Sequence, residues 1–314
     1  MLKVSELALT ADKIREFDRV VVTRLIGGLG NQMFQYAAGL GLALRHGVEL
    51  KLDVSGFAAY PKRRYELGSY PIRGTPASEA ELASFGSRRP KVESRWLARA
   101  RRLIRIDGKP GSSPIYRERH FHFDARVRDL NPTVYLDGYW QSEKYFADLI
   151  GLLRQEFTPL APLEPENAAM ADRIDAVNAV SLHVRRGDYV NEPDISRFHG
   201  ICSADYYQSA VKYIAGRAGD IHLFVFSDDQ DWVRDNLHFA PPTTVVAANP
   251  PDRGFRDMQL MARCRHHIIA NSSFSWWGAW LNPSPAKIVV APKRWFAAST
   301  NDTRDLLPEA WVRL

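Results

Sequence analysis

From Val180 to Leu314, short apolar and β-branched runs alternate with stretches of helical periodicity. VSLHV, IHLFVF, TTVVAA, HHIIA and AKIVVAP read as strands, and ADYYQSAVKYIAG, DQDWVRDNL, RDMQLMARC and SFSWWGAWL as the helices between them. This rhythm predicts a parallel sheet with crossover helices. The first half repeats it less regularly, with a strand at Arg19 to Thr23, a glycine turn, a helix from about Asn31 to His46 and a strand at Val48 to Leu52. Residues 54–131 are rich in Arg, Pro, Gly and Ser and support no topology. The expectation is an α/β protein of two Rossmann-like domains facing each other across a cleft, residues 1–160 and 161–314. They join near TPLAPLEPEN (158–167), where three prolines interrupt the periodicity. The last helix is a candidate to pack back on the first domain.

Composition narrows the classes. A chain of 314 residues with 45% hydrophobic and 25% charged residues is an ordinary globular protein, not a disordered or low-complexity one. The 42 Lys+Arg against 36 Asp+Glu leave a net charge of +6, which favours phosphorylated small molecules without demanding nucleic acid. Two cysteines, Cys202 and Cys264, build neither a disulfide framework nor a Cys-rich zinc site and fit a reducing cytoplasm. The first residues lack the apolar core of a signal peptide, and no uninterrupted apolar run approaches the ~18 residues of a membrane span. Residues 87–105 carry eight basic residues against Glu93, with Trp96, Leu103 and Ile104 interleaved. They are a candidate for peripheral contact with the inner face of the plasma membrane, the alternative being a solvated basic face.

The candidate chemistry clusters at predicted strand ends, where open α/β sheets place ligands. HVRRGD (183–188) offers two guanidiniums, Arg185 and Arg186, for phosphate oxygens, with Gly187 permitting a sharp turn. The alternative is an Arg-Asp bridge that stiffens the loop. In NSSFSWWGAWL (271–281), Ser272 and Ser273 open a helix whose first amides suit an anion, while Trp276, Trp277 and Trp280 suit core packing. FSDD (226–229) brings Asp228 and Asp229 to the same edge, as guanine contacts or, for Asp229, as an N-cap. GGLGNQ (27–32) breaks the dinucleotide fingerprint at Met33, leaving Asn31 and Gln32 to orient a substrate in the cleft. GYWQSEKYF (138–146) adds Gln141, and Tyr139 or Trp140 as a platform for a sugar ring or as core. His120, His122 and Asp124 have weak metal-ligand spacing, so no metal site is expected.

Taken in order, GGLGNQMFQYAAG, GYWQSEKYF, HVRRGD, FSDD, NSSFSWWGAWL and APKRWF resemble the motifs of bacterial α-1,2-fucosyltransferases of glycosyltransferase family 11. The resemblance runs from about residue 22 to residue 296 and is thin only in the Arg-rich stretch before Phe121. It implies a GT-B-like architecture and inverting transfer of L-fucose from GDP-β-L-fucose to a galactoside 2-hydroxyl, with no cofactor and no metal; the alternatives are a GT-B transferase for another nucleotide sugar and a non-catalytic glycan- or nucleotide-binding protein. Residues 1–160 then form the acceptor side and 161–314 bind GDP-fucose. By the same resemblance Arg185 is the leading diphosphate ligand and Arg186 supports it. Ser272, Ser273 and Phe274 meet the donor, and His183 lies toward the guanine. Asp188 is the candidate general base. Asn31, Gln32, Trp140 and Gln141 are the candidate acceptor contacts, and the galactose-containing acceptor is expected to be surface glycan or O-antigen.

Overall fold

The computed structural model describes residues 19–60, 63–85, 115–187, 200–247, 249–250, 252–297 and 301–314. The chain is an α/β protein of two compact units, each built on its own parallel sheet. Unit 1 runs through Gly27 and holds Asn31–Tyr65 and Ile72–Ile150; unit 2 holds Gly28–Gly30, Glu66–Pro71 and everything from Gly151. The division thus falls ahead of the proline-rich stretch read as the boundary, and two short segments of the first half belong with unit 2.

Unit 1 contains β1 (Val20–Arg24), α1 (Leu29–His46, its first two residues in unit 2), β2 (Glu49–Asp53), β3 (Thr75–Pro76), α2 (Glu79–Ser84), β4 (Ile115–Arg117) and β5 (Val134–Asp137). The strand order is β3-β2-β1-β5-β4, with every pair parallel. β3 and β4 come from the region in which the sequence showed no clear period.

Unit 2 holds α3 (Ile150–Glu156, from its second residue), α4 (Pro165–Asp175), β6 (Ala179–Val184), α5 (Ala204–Ala218), β7 (His222–Ser227), α6 (Gln230–Asn236) and β8 (Thr243–Val245). It continues with α7 (Gly254–Arg263), β9 (His266–Ile268), α8 (Ser273–Leu281), β10 (Val289–Ala291) and β11 (Val312–Arg313). The all-parallel order β11-β10-β9-β6-β7-β8 is the doubly wound one, with its single reversal between β6 and β9. All six residues of β6 are buried because helices cover both faces of the sheet. On one face α5 presents Tyr207, Ala210, Val211 and Ile214 at helical spacing to Leu182, Val184 and Val225. On the other, Ile174 of α4 and Leu260 and Met261 of α7 meet Phe224 and Phe226. The chain ends in a strand, β11, because Val312 and Arg313 pair with Val290 and Ala291 in this same sheet.

A buried polar chain ties the reversal together. Ser181 Oγ lies 2.8 Å from His267 Nδ1, and His267 Nε2 lies 2.8 Å from Asn282 Nδ2. Since the Asn282 amide can only donate there, Nε2 accepts and the proton sits on Nδ1, facing Ser181. The imidazole is neutral: burial, then the nearby Lys287 and His266 charges, push its pKa well below the ordinary histidine value. Acid therefore destabilises the fold through this group, because the unfolded chain takes up a proton near pH ~6.5 that the folded one refuses. The unfolding free energy from denaturant melts, measured from pH 7 downward, should fall progressively below about pH 6.5, by up to about 1.4 kcal/mol per pH unit for one such histidine, and His267→Gln should flatten that slope.

Candidate active site

The reversal between β6 and β9 decides which side chains meet at the carboxyl edge of the unit 2 sheet. His183 pairs with Phe226 and Val184 with Ser227, so Arg185 to Gly187 and Asp228 to Asp229 leave the sheet side by side. On the other flank Leu182 pairs with Ile268, and the chain beyond β9 turns through Asn271 and Ser272 into α8.

The two arginines are held rigidly. Asp228 Oδ2 accepts from Arg185 Nη1 at 2.9 Å, and its Oδ1 accepts the Arg186 backbone N–H at 2.9 Å. Asp229 Oδ2 accepts from Arg186 Nε at 3.1 Å, while its Oδ1 accepts the Trp232 N–H at 3.2 Å and caps α6. The Arg186 guanidinium stacks 3.8 Å from the centroid of the Trp232 ring. Gly187 is required by this clasp, since a Cβ there would lie 2.7 Å from Asp228 Oδ2. Both carboxylates thus hold the arginines, and Asp229 also takes the N-cap position read as its alternative.

Opposite them stands the N-terminus of α8. Ser272 occupies the N-cap without bonding its side chain to the helix, and first-turn amides have no intrahelical acceptor, so this end carries partial positive charge. Gly30 presses on it: a Cβ at Gly30 would lie 2.5 to 2.6 Å from backbone atoms of Ser273 and Phe274. Trp277 donates its Nε1–H to Gly30 O at 3.0 Å and Trp276 donates to Leu306 O at 2.9 Å, so these tryptophans are core anchors. The glycine turn of the first half therefore serves unit 2.

His183 closes the group. It is buried, its ring centroid is 5.6 Å from that of Phe274, and its Nδ1 has no hydrogen-bond partner. Burial pushes its pKa down to about 4, with Asp228 opposing and Arg185 reinforcing the shift. At neutral pH it is an uncharged group with an unused polar atom, as a ligand-facing histidine is.

One residue escaped the sequence reading. Asp257 stands three residues after Gly254, on the same face of α7, and a Cβ at Gly254 would be 3.9 Å from Phe274 Cε2. Its Oδ1 accepts from Asn249 Nδ2 at 2.6 Å, and burial, outweighing that bond, pushes its pKa up to about 6. Its only mark in the sequence is a carboxylate in the first turn of a helix.

The unit 1 candidates divide. Gln32 is fully buried and donates to Gly27 O at 3.0 Å and Arg64 O at 2.8 Å, so it fixes the turn and does not face a ligand. Trp140 is also fully buried, edge-on to Tyr145 at 5.7 Å, which removes it as a sugar platform. Asn31 Oδ1 accepts from Gln141 Nε2 at 2.7 Å, an amide pair between α1 and the loop after β5. Asp124, offered as a metal ligand, instead caps the turn at Ala125–Asp129 and pairs with Arg126 at 2.8 Å. Asp188 and the basic segment 87–105 lie outside the described residues. Among the described residues no helix is long and apolar enough to cross a membrane, and no three His, Cys, Asp or Glu gather as metal ligands.

A sequence model described as Glycosyl transferase family 11 matches residues 119–314, which contain the whole arginine, aspartate and α8 constellation. The chain belongs to glycosyltransferase family 11. Two Escherichia coli relatives match along nearly their full length. An alpha-1,2-colitosyltransferase is 35% identical over 94% of this chain and 99% of its own. The O-antigen biosynthesis glycosyltransferase WbnK is 34% identical over 92% and 99%. The galactoside alpha-(1,2)-fucosyltransferase 1 of Plecturocebus brunneus is 26% identical over 81% of this chain and 63% of its own. The fucosyltransferase NodZ from Bradyrhizobium, a solved structure, is 17% identical with TM-score 0.46, covering 85% of this chain and 94% of that one.

For this family 11 glycosyltransferase, Gly30→Ala tests the coupling of the glycine turn to α8. Backbone atoms at 2.5 Å cannot yield cheaply, so a loss of roughly 1–3 kcal/mol is expected in denaturant melts.

Proposed function

We propose that this glycosyltransferase moves L-fucose from GDP-β-L-fucose to the 2-hydroxyl of a galactoside, with inversion and without a metal ion, in the assembly of surface glycan such as O-antigen. The observation that carries the reading is the convergence, at the one reversal of the unit 2 sheet, of a clasped arginine pair, the N-terminus of α8 and a buried histidine with an unused Nδ1. That set suits a nucleoside diphosphate: guanidinium and helix amides for the phosphates, with Phe274 and His183 beside the nucleoside. The family and the named α-1,2 relatives support the sugar and the linkage.

In this reading the donor C1–O(phosphate) bond breaks, the acceptor oxygen bonds to C1 from the opposite face, and the acceptor proton passes to a base, for which Asp188 is the candidate. Charge develops on the departing GDP. Asp228 holds Arg185 through Nη1 and so orients its planar guanidinium for the diphosphate. Because Arg185 and α8 are fixed beforehand, they stabilise the leaving charge more than the bound donor, the role a metal ion plays elsewhere. Asp257 is the proposed acceptor for the guanine N1–H and 2-amino group, and Asn31 and Gln141 remain the proposed acceptor-sugar contacts.

Arg185→Ala should lower kcat/KM roughly 10²–10³-fold in a GDP-release assay run in EDTA with a β-galactoside, and activity within tenfold of wild type would remove the assignment. Asp257 must be ionised to receive guanine, so GDP-fucose affinity should fall as pH drops below about 6. Both phosphates of that ligand are esterified and do not titrate there, so Asp257→Asn should abolish the dependence and relax the preference for guanine over adenine. A second reading is favoured by the 35% identical colitosyltransferase: the donor sugar is colitose, which lacks the 3-hydroxyl of fucose. Competition between the two GDP-sugars separates them, with a preference of more than about tenfold for GDP-fucose expected if a buried group of the site bonds that hydroxyl.

A further inference from the structure

A second recess lies at the other end of α8. The helix begins at the candidate active site with Ser273, and its last residue, Leu281, lines a cavity of about 160 Å³ with Tyr70, Arg154, Phe157, Phe255 and Ala262. Three rings contribute to the wall: Tyr70 meets Phe157 edge-on at 5.7 Å and 75°, and Phe255 at 6.2 Å and 69°.

Arg154 does not fit that wall by itself. Its Nη2 reaches the carbonyls of Trp280 and Asn282 only at 3.4 and 3.3 Å. Lys287 already serves the end of the helix, with Nζ at 2.8 Å from Ala279 O and 2.6 Å from Asn282 O. Arg154 Nε is buried without a hydrogen-bond partner, and among the described residues no carboxylate pairs with this guanidinium. Burial accordingly lowers its pKa, with no neighbouring anion to oppose it. A guanidinium half-withdrawn from water, with an unused N–H and no counterion, is costly to leave beside an unfilled recess.

We propose that this cavity binds a small amphipathic carboxylate. Its oxygens would accept from Nη–H groups of Arg154, while its ring packs in the recess that Tyr70, Phe157 and Phe255 line. The volume sets the size of the apolar part, since a cavity of ~150 Å³ accommodates one benzene ring. The recess is distinct from the arginine clasp and shares with it only α7 and α8.

Benzoate is the probe, titrated into the full chain by calorimetry or ligand-observed NMR, with neutral benzyl alcohol as the comparison. Saturable benzoate binding is expected, with benzyl alcohol at least about tenfold weaker and Arg154→Gln reducing benzoate affinity by at least about tenfold. Ala262→Leu, which occupies the cavity and leaves the guanidinium in place, should abolish binding, with circular dichroism and thermal midpoint reporting that each variant is folded. No saturable binding at about 10 mM benzoate overturns the proposal. So does equal affinity for benzyl alcohol, or benzoate binding unchanged in either folded variant.

Discussion

A parallel sheet wound in both directions leaves one place where crossovers depart to opposite sides, and there its carboxyl edge stays open. In unit 2 that place lies between β6 and β9. The register of β6 with β7 sends the arginines and the aspartates out together, and the short β9 delivers the chain to the start of α8. The constraint reaches back into the polypeptide that precedes it, because Gly30 lies against the first turn of α8 with no room for a Cβ. The chemistry is thus set by backbone geometry before any side chain is considered.

Charge follows the same economy. Arg185 and Arg186 would repel each other and swing freely on an open edge; Asp228 and Asp229 neutralise and orient them, and Trp232 fixes the second guanidinium from its ring face. His183 is buried beside this clasp and stays neutral because burial outweighs the pull of Asp228. A diphosphate entering here meets donors already oriented, so little reorganisation is required when negative charge builds on it.

Much of unit 2 is legible in the sequence because its strands are continuous apolar runs and its helices carry clear periods. SFSWWGAWL begins and ends where α8 does, and Ser203 before ADYYQSAVKYIAG caps α5 as a serine there should. What escaped depends on contacts distant in sequence. Trp140 looks like an exposed aromatic beside Gln141, yet the fold buries it against Tyr145. Gln32 looks like a cleft amide, yet Arg64 O and Gly27 O consume it. Asp257 looks like a helix-surface carboxylate, yet burial gives it a raised pKa against the opposing hydrogen bond from Asn249. The end of the chain carries no strand signal of its own and becomes one where β10 offers it an edge.

The central claim is that the diphosphate of a guanine nucleotide sits on the arginine clasp and the N-terminus of α8. Amide resonances of isotope-labelled protein, followed during a GDP titration, test it at the residues concerned. The account predicts the largest shifts at the N–H groups of Arg186, Gly187, Ser273 and Phe274, saturating together with one dissociation constant. Saturable GDP binding that leaves those four amides unmoved would contradict it.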